Sequence, residues 1–385
     1  EADKRTPRDN FYHCLKNSAH QFHNKSGGKH YILAGYPWFK CRARDMFIAL
    51  PGLTLALNEE FEFISAMNTA AEAIRDFIKG RPTKCQVYEM ERPDVFLWAI
   101  WAIQQYAKYC GRQKAWDQYG RLMMDIMDYL RHNRHVNFYL HGNGLVHING
   151  RESAETWMNS TVDGVPVVPR TGYVVEINAL WYNALKFVAE LSNECGKSDY
   201  SRRMEQIAQK VEASFPAVFV NEYGYLYDYV DGDYKDLSVR PNMVFAIAFD
   251  YSPLQQKQKK SVLDIVTKEL LTPKGLRSLS PKSMGYNPNY VGPQRERDYA
   301  YHQGTAWPWL AGFYFEAYLK LYKRSGLSFI ERQMIGYEDE MVSHCIGSLP
   351  ELFDGNPPFK GRGAVSFAMN IAEILRTVRM INDFE

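Results

Sequence analysis

Apolar residues recur at helical spacing along nearly the whole chain. The clearest stretch starts at Glu176, where Ile177, Leu180, Trp181, Ala184, Leu185 and Val188 follow an i, i+3, i+4, i+7 pattern. The same period predicts helices over roughly 8–24, 45–57, 59–79, 94–110, 114–133, 199–219, 242–250, 257–271, 306–323, 328–346 and 364–381, about twelve in all. Pro308 falls in the first turn of its helix, where a missing N–H costs nothing. Two pieces read as β structure instead. One is Asn137–Ile148 around the turn Gly142-Asn143-Gly144, and the other is Tyr223–Val230 running into Asp231-Gly232.

The connections alternate in length. Long ones fall at roughly 25–44, 80–93, 134–176, 220–241, 272–305 and 347–363, and short links join the helices between them. Short links make neighbouring helices antiparallel, so every second connection lies at the same end. The pattern predicts an all-α (α/α)6 barrel, with short β-hairpins in the long loops and a pocket at the long-loop end. An open solenoid is the alternative, but no fixed repeat period supports it. No linker or charge run divides the chain, so residues 1–385 are expected to form one barrel domain.

Composition narrows the function. Lys+Arg is 46 and Asp+Glu is 44, a net charge of +2, against a protein built on nonspecific nucleic-acid contacts. No apolar run reaches the ~18–20 residues of a membrane span. The six cysteines show no CxxC pair and read as free thiols of a reducing compartment, so a cytoplasmic location is expected. With no initiator Met, a processed chain or a cut-out fragment is expected. The ten histidines show no HExxH or similar spacing, and there is no Walker A, GxGxxG or GxSxG motif, so no metal or cofactor is expected. Aromatic content is 14%. Rings in that number suit a large core, or a carbohydrate or aromatic ligand.

The long loops carry the candidate chemistry: Trp38, Arg44-Asp45, Asp94, Glu155 to Asn159, Asp163, Glu176, Arg295, His302-Gln303, Trp307-Pro308-Trp309 and Glu351. Pyranose rings stack on aromatic faces and hydrogen-bond through their hydroxyls. Asp45, Glu176 and Asp94 would accept from hydroxyls; Arg44, Arg295 and His302 would donate. Glycoside hydrolysis then needs two carboxyl groups across the ring. Plainer readings stand beside these. Trp307 and Trp309 pack, Arg44-Asp45 is a local ion pair, Glu351 belongs to a solvated turn, and His302 packs a loop.

Several of these segments resemble the C-terminal domain of glycogen debranching enzymes. They are Gly35-Tyr36-Pro37-Trp38-Phe39 with Arg44-Asp45-Met46-Phe47, Thr156-Trp157-Met158, Val175-Glu176-Ile177-Asn178, Arg240-Pro241-Asn242, Tyr301-His302-Gln303-Gly304-Thr305 and Glu351-Leu352-Phe353-Asp354-Gly355. The resemblance runs in order over essentially the whole chain. It implies an (α/α)6 amylo-α-1,6-glucosidase that removes single α-1,6-linked glucose from glycogen, limit dextrin or an α-glucan oligosaccharide, with inversion. By position, Glu351 matches the general base. Trp38, Arg44, Asp45, Asp94, Trp157, Glu176, Asn178, Trp181, Arg295, His302, Gln303, Trp307 and Trp309 are the expected sugar-binding residues. Two departures follow. The family's general-acid Asp is Asn159 here, and its Thr-Asp-Trp-Gly is Lys40-Cys41-Arg42-Ala43. Asp163, four residues on, is the candidate replacement acid, with Glu155 as another. A glycan-binding domain without turnover is the competing expectation. A lyase on the same fold would need a uronate-binding basic cluster, for which only Arg295 and Arg297 offer themselves. An N-terminal β-rich domain, usual in such proteins, is expected to be missing from this chain.

Overall fold

The computed structural model describes residues 6–384. Its helices are α1 (Phe11–Gln21), α2 (Ala43–Leu53), α3 (Glu60–Ile78), α4 (Val95–Cys110), α5 (Arg112–Arg131), α6 (Val175–Glu194), α7 (Ser198–Phe219), α8 (Phe245–Ala248), α9 (Gln256–Glu269), α10 (Gln294–Ala300), α11 (Pro308–Tyr322), α12 (Leu327–Glu338) and α13 (Ala368–Asn382). Helices α2, α4, α6, α8, α11 and α13 each pack on the next, and α13 returns to α2, which closes an inner ring. The remaining helices, α10 excepted, lie outside it. The fold is therefore the six-hairpin toroid.

Sequence explains which helix sits where. The inner helices are apolar on nearly every face; α4 buries every residue from Val95 to Ala107. The outer helices keep one apolar stripe. In α7 only Tyr200, Met204, Ala208, Val211, Phe215 and Phe219 are buried. Gly52 permits the tight α2–α13 seam, since a Cβ there would meet the Ala372 carbonyl oxygen at 2.0 Å. The ring also carries a buried ionic cluster. Arg376 donates to Glu316 (2.6 Å) and Glu373 (2.8 Å), with its guanidinium over the Phe313 ring.

The long loops meet at one end and are knitted by β pairing. One antiparallel sheet runs in the order Tyr234–Lys235, Tyr229–Asp231, Gly172–Val174, Val146–Ile148, Tyr139–Leu140. A second runs Leu271–Thr272, Gly275–Arg277, Ala306–Trp307, Leu352–Phe353, Gly361–Arg362. Gly35–Tyr36 pairs with Ser366–Phe367, joining the first loop to the last. The second sheet had no sequence signal: its strands are two or three residues long, too short to show a period. The expected helix over 242–250 is a 3₁₀ turn, Pro241–Val244, followed by the single turn of α8. The helix expected over 328–346 stops at Glu338 and tightens into a 3₁₀ turn. Helix α10 lies inside what reads as a loop, because seven mostly polar residues carry no apolar stripe.

Candidate active site

The long-loop end holds two adjoining chambers that share Tyr301. The outer one, about 750 Å³, is lined by Trp38, Phe39, Tyr290, Arg297, Asp298, Glu351 and Arg362 among others. The inner one, about 30 Å³, is lined by Arg42, Arg44, Asp45, Trp157, Asn159, His302, Trp307, Phe367 and Met369.

The first turn of α2 supplies one wall. Arg44 is buried and spent. It holds Asp94 bidentately, at 2.7 and 2.8 Å, and donates to the Glu155 carbonyl at 2.9 Å. Asp94 also accepts from Trp98 Nε1 at 3.1 Å. Asp45 accepts from Arg42 Nη2 at 3.0 Å. The Arg42 guanidinium lies 4.5 Å from the Phe39 ring centroid, and its buried Nε has no protein partner. The residue that departs from the family pattern therefore borders the inner chamber.

A second wall is the Thr156–Asn159 segment, fixed from behind by Arg170. That guanidinium is buried between Glu176 and Asp228, bonding Asp228 Oδ2 through Nε at 2.7 Å and Glu176 Oε2 through Nη2 at 2.5 Å. It also donates to Thr156 Oγ1 at 3.3 Å. Asp228 accepts from Asn242 Nδ2 at 2.8 Å, and Asn242 Oδ1 accepts from Trp157 Nε1 at 2.6 Å. The Trp157 ring is thus held by an unbroken polar chain. It meets His302, Trp307 and Trp309 edge-to-face.

The third wall is the segment from α10 to Trp307. Arg240 fixes its backbone through the His302 carbonyl at 2.8 Å and takes up the Gln303 side-chain oxygen at 2.8 Å. His302 is buried against Trp307 in a near-parallel stack, centroids 5.5 Å apart. Burial, and then the nearby Arg240, Arg170 and Arg44, push its pKa well below the usual range, so it is neutral. Its Nδ1 has no protein partner.

Glu351 completes the site. Its neighbour Leu352 pairs with Arg362, which brings the Ala364 amide within 2.9 Å of Oε2. The Tyr301 hydroxyl donates to Oε1. Gly363 lies at φ +71°, and a Cβ there would fall 2.3 Å from Oε2. Asp354 steadies the same wall, gripping Arg362 at 2.8 Å and the Tyr290 amide at 2.8 Å. Burial pushes the Glu351 carboxyl up to about 7, against the Ala364 hydrogen bond and the Arg42 charge, both of which lower it.

Of the residues expected to bind sugar, Arg44, Asp45, Trp157, His302 and Trp307 border the inner chamber, and Trp38, 59% exposed, borders the outer one. The others lie outside both. Glu176 and Asp94 are spent on buried arginines, and Gln303 on Arg240. Asn178 braces the Val146 backbone at 2.7 and 2.9 Å. Trp181 is fully buried and donates to the Gly144 carbonyl. Trp309 is buried behind Trp157, stacked on Phe245. Asp163 stands at φ +52° between the hairpin strands Thr161–Val162 and Val165–Pro166, exposed and paired with Arg295, outside both chambers. Glu155 pairs with Arg92 at 3.2 Å. Tyr301 carries no chemical signal in the sequence beyond its place next to His302. Arg170 and Asp228 had no findable signal, because their pairing spans 58 residues.

A ring of six hairpins with a carboxylate-bearing pocket at its loop end is the architecture of the six-hairpin glycoside hydrolases, and this chain is one of that superfamily. The family model described as amylo-alpha-1,6-glucosidase matches residues 17–376, and the chain belongs to that family. It is 28% identical to the glycogen debranching enzyme of Saccharomyces cerevisiae, over 46% of this chain and 14% of that protein's length. Among solved structures it is similar to a GH63 mannosylglycerate hydrolase from Thermus thermophilus, with TM-score 0.65, 13% identity and coverage of 94% and 99% of the two chains. An uncharacterized conserved protein from the same organism gives 0.67 and 14%, with the same coverage. At such identities these two neighbours speak to the fold. No helix among the described residues is long and apolar enough to cross a membrane.

Proposed function

We propose that the chain is an exo-acting, inverting α-1,6-glucosidase that takes terminal glucose from glycogen, limit dextrin or an α-glucan oligosaccharide. The observation that carries this reading is Glu351: a carboxyl with a pKa near neutrality, held from both sides, on the wall of the larger chamber. As carboxylate it would take a proton from water, which attacks the anomeric carbon opposite the leaving oxygen. The neutral His302 and Asp45 would bind hydroxyls of the terminal sugar, with Trp157 and Trp307 as apolar walls. A pocket closed behind by Trp157 and Trp307 favours removal of one terminal unit. With Arg42 at its side the inner chamber has room for about one or two waters, so in this reading Arg42 swings aside as the sugar enters.

The amide of Asn159 cannot protonate a leaving oxygen. Asp298 is a better stand-in than Asp163. It lines the outer chamber with Glu351, and its carbonyl accepts from Ser160 Oγ at 2.6 Å, beside the Asn159 position. The test is hydrolysis of an oligosaccharide bearing one α-1,6-linked glucose by the wild type, Glu351→Gln and Asp298→Asn. Activity lost in both variants supports the assignment. Full activity in Asp298→Asn removes Asp298 from it.

Asn159 and the Arg42–Asp45 pair favour a second reading, a glycan-binding domain with impaired turnover. α-Glucosyl fluoride separates the two, because its leaving group needs little protonation. Turnover of the fluoride without turnover of the glycan, together with glycan binding by calorimetry, supports the second reading.

A further inference from the structure

Outside the barrel, three side chains converge without any part in the sugar pocket. The hairpin His23–Ser26 and Lys29–Ile32 pairs His23 with Ile32 and Lys25 with His30. His23 and His30 are therefore a diagonal pair on one face of the hairpin. That face packs on α3, where the His30 amide donates to Thr69 Oγ1 at 2.9 Å. Glu62, in the first turn of α3, lies beneath the same pair. One ligand atom from each of His23, His30 and Glu62 lies within 4.8 Å of the other two.

We propose that His23, His30 and Glu62 form a binding site for a divalent transition-metal ion of the zinc type. The ring nitrogens His23 Nδ1 and His30 Nε2 face each other at 2.8 Å, while His23 Nε2 and His30 Nδ1 are buried with no hydrogen-bond partner. Glu62 Oε2 lies 3.6 Å from His30 Nδ1. Without a cation the contact between the rings is an imidazole–imidazole hydrogen bond, one nitrogen donating; with each proton moved to its outward nitrogen, both lone pairs face one gap. Such an arrangement is unfavourable alone and favourable around a cation. A small outward movement gives the spacing of two imidazoles on one tetrahedral ion. Two imidazoles and a carboxylate select zinc, cobalt or nickel over magnesium or calcium. The exposed Lys25, now 2.8 Å from Glu62, would give way to the ion. His20, paired with Glu59 at 2.8 Å, stands next to His23 as an outer partner.

The ligands are spaced 7 and 32 residues apart and come from a hairpin and a helix, which is why no sequence motif announces them and why no metal was expected from the sequence. A bound ion would tie the hairpin to α3 in the outer wall. The test is titration of chelator-treated protein with Zn²⁺ by calorimetry, and with Co²⁺ by visible absorption. The expected result is one equivalent bound, the d–d bands of a four-coordinate site, and a rise in Tm with Zn²⁺. His23→Gln, and separately Glu62→Gln, should weaken binding by about tenfold or more and lose the cobalt bands. Absence of saturable binding in the wild type, or equal binding in both variants, overturns the proposal. Neither result bears on the sugar site, which shares no residue with this cluster.

Discussion

The Tyr301 hydroxyl donates to Oε1 of Glu351, on the side of the carboxyl opposite the Ala364 amide. A hydrogen bond to the ionised form lowers a carboxyl pKa, while burial raises it. Near pH 7 the two forms of Glu351 are in balance. Tyr301→Phe removes one stabilising bond, so the acid limb of kcat/KM should move up by roughly half to one pH unit. An unmoved limb would detach Tyr301 from the reaction.

Glu351→Gln should cost about 10²–10⁴-fold in turnover while the fold persists. It should also change the pH dependence of stability. The folded carboxyl is raised from 4.5 to about 7. Between those values the native state holds a proton that the unfolded chain has released, so stability falls as pH rises through the window. Above it the penalty is constant at about 3 kcal/mol. The Gln variant lacks this penalty. Urea denaturation should therefore show it more stable than wild type at pH 8 and about equal at pH 4.

Asn159→Asp places an acid at the family position in the inner chamber. With Asp298 already donating the proton, turnover of the α-1,6-linked glucan should rise less than about tenfold; a rise of about 10²-fold with glucosyl fluoride little changed would support the impaired-turnover reading. Equal gains on both substrates would mean that the substitution acts on binding rather than on proton donation.

Arg170→Met should destabilise the protein by about 3–5 kcal/mol, because Glu176 and Asp228 would stay buried without their shared cation. A chemical denaturation curve measures this directly. A loss below about 1 kcal/mol would mean that the carboxyls find other partners.

These residues show what could be read in the chain alone. The helices were legible because a 3.6-residue period survives in single sequences, and alternating loop lengths gave the ring its open end. Asp45, Trp157, His302, Trp307 and Glu351, singled out by loop position and residue type, lie on the walls of the two chambers. Glu176, Asn178, Trp181 and Trp309 are also loop-proximal and polar or aromatic. Only the packing shows that Glu176 faces Arg170 and Trp181 faces Gly144. Asp163 sits close to Asn159 in sequence, but a tight hairpin turn carries it outward to Arg295. Arg42 was visible as a departure from pattern; its place beside Asp45 needed the structure.

Arg42→Ala should enlarge the inner chamber and release Asp45. KM for a neutral glucan should fall several-fold, with kcat little changed well above pH 7, where Glu351 stays ionised without the Arg42 charge. A rise in KM would assign Arg42 to sugar binding instead.

Inverting hydrolysis with Glu351 as base fixes the anomer of the released sugar. The direct measurement is proton NMR of the first glucose released from a maltooligosaccharide carrying one α-1,6-linked glucose. The wild type should release the β-anomer, and Glu351→Gln should release none. Release of the α-anomer, or undiminished release by the variant, would contradict it.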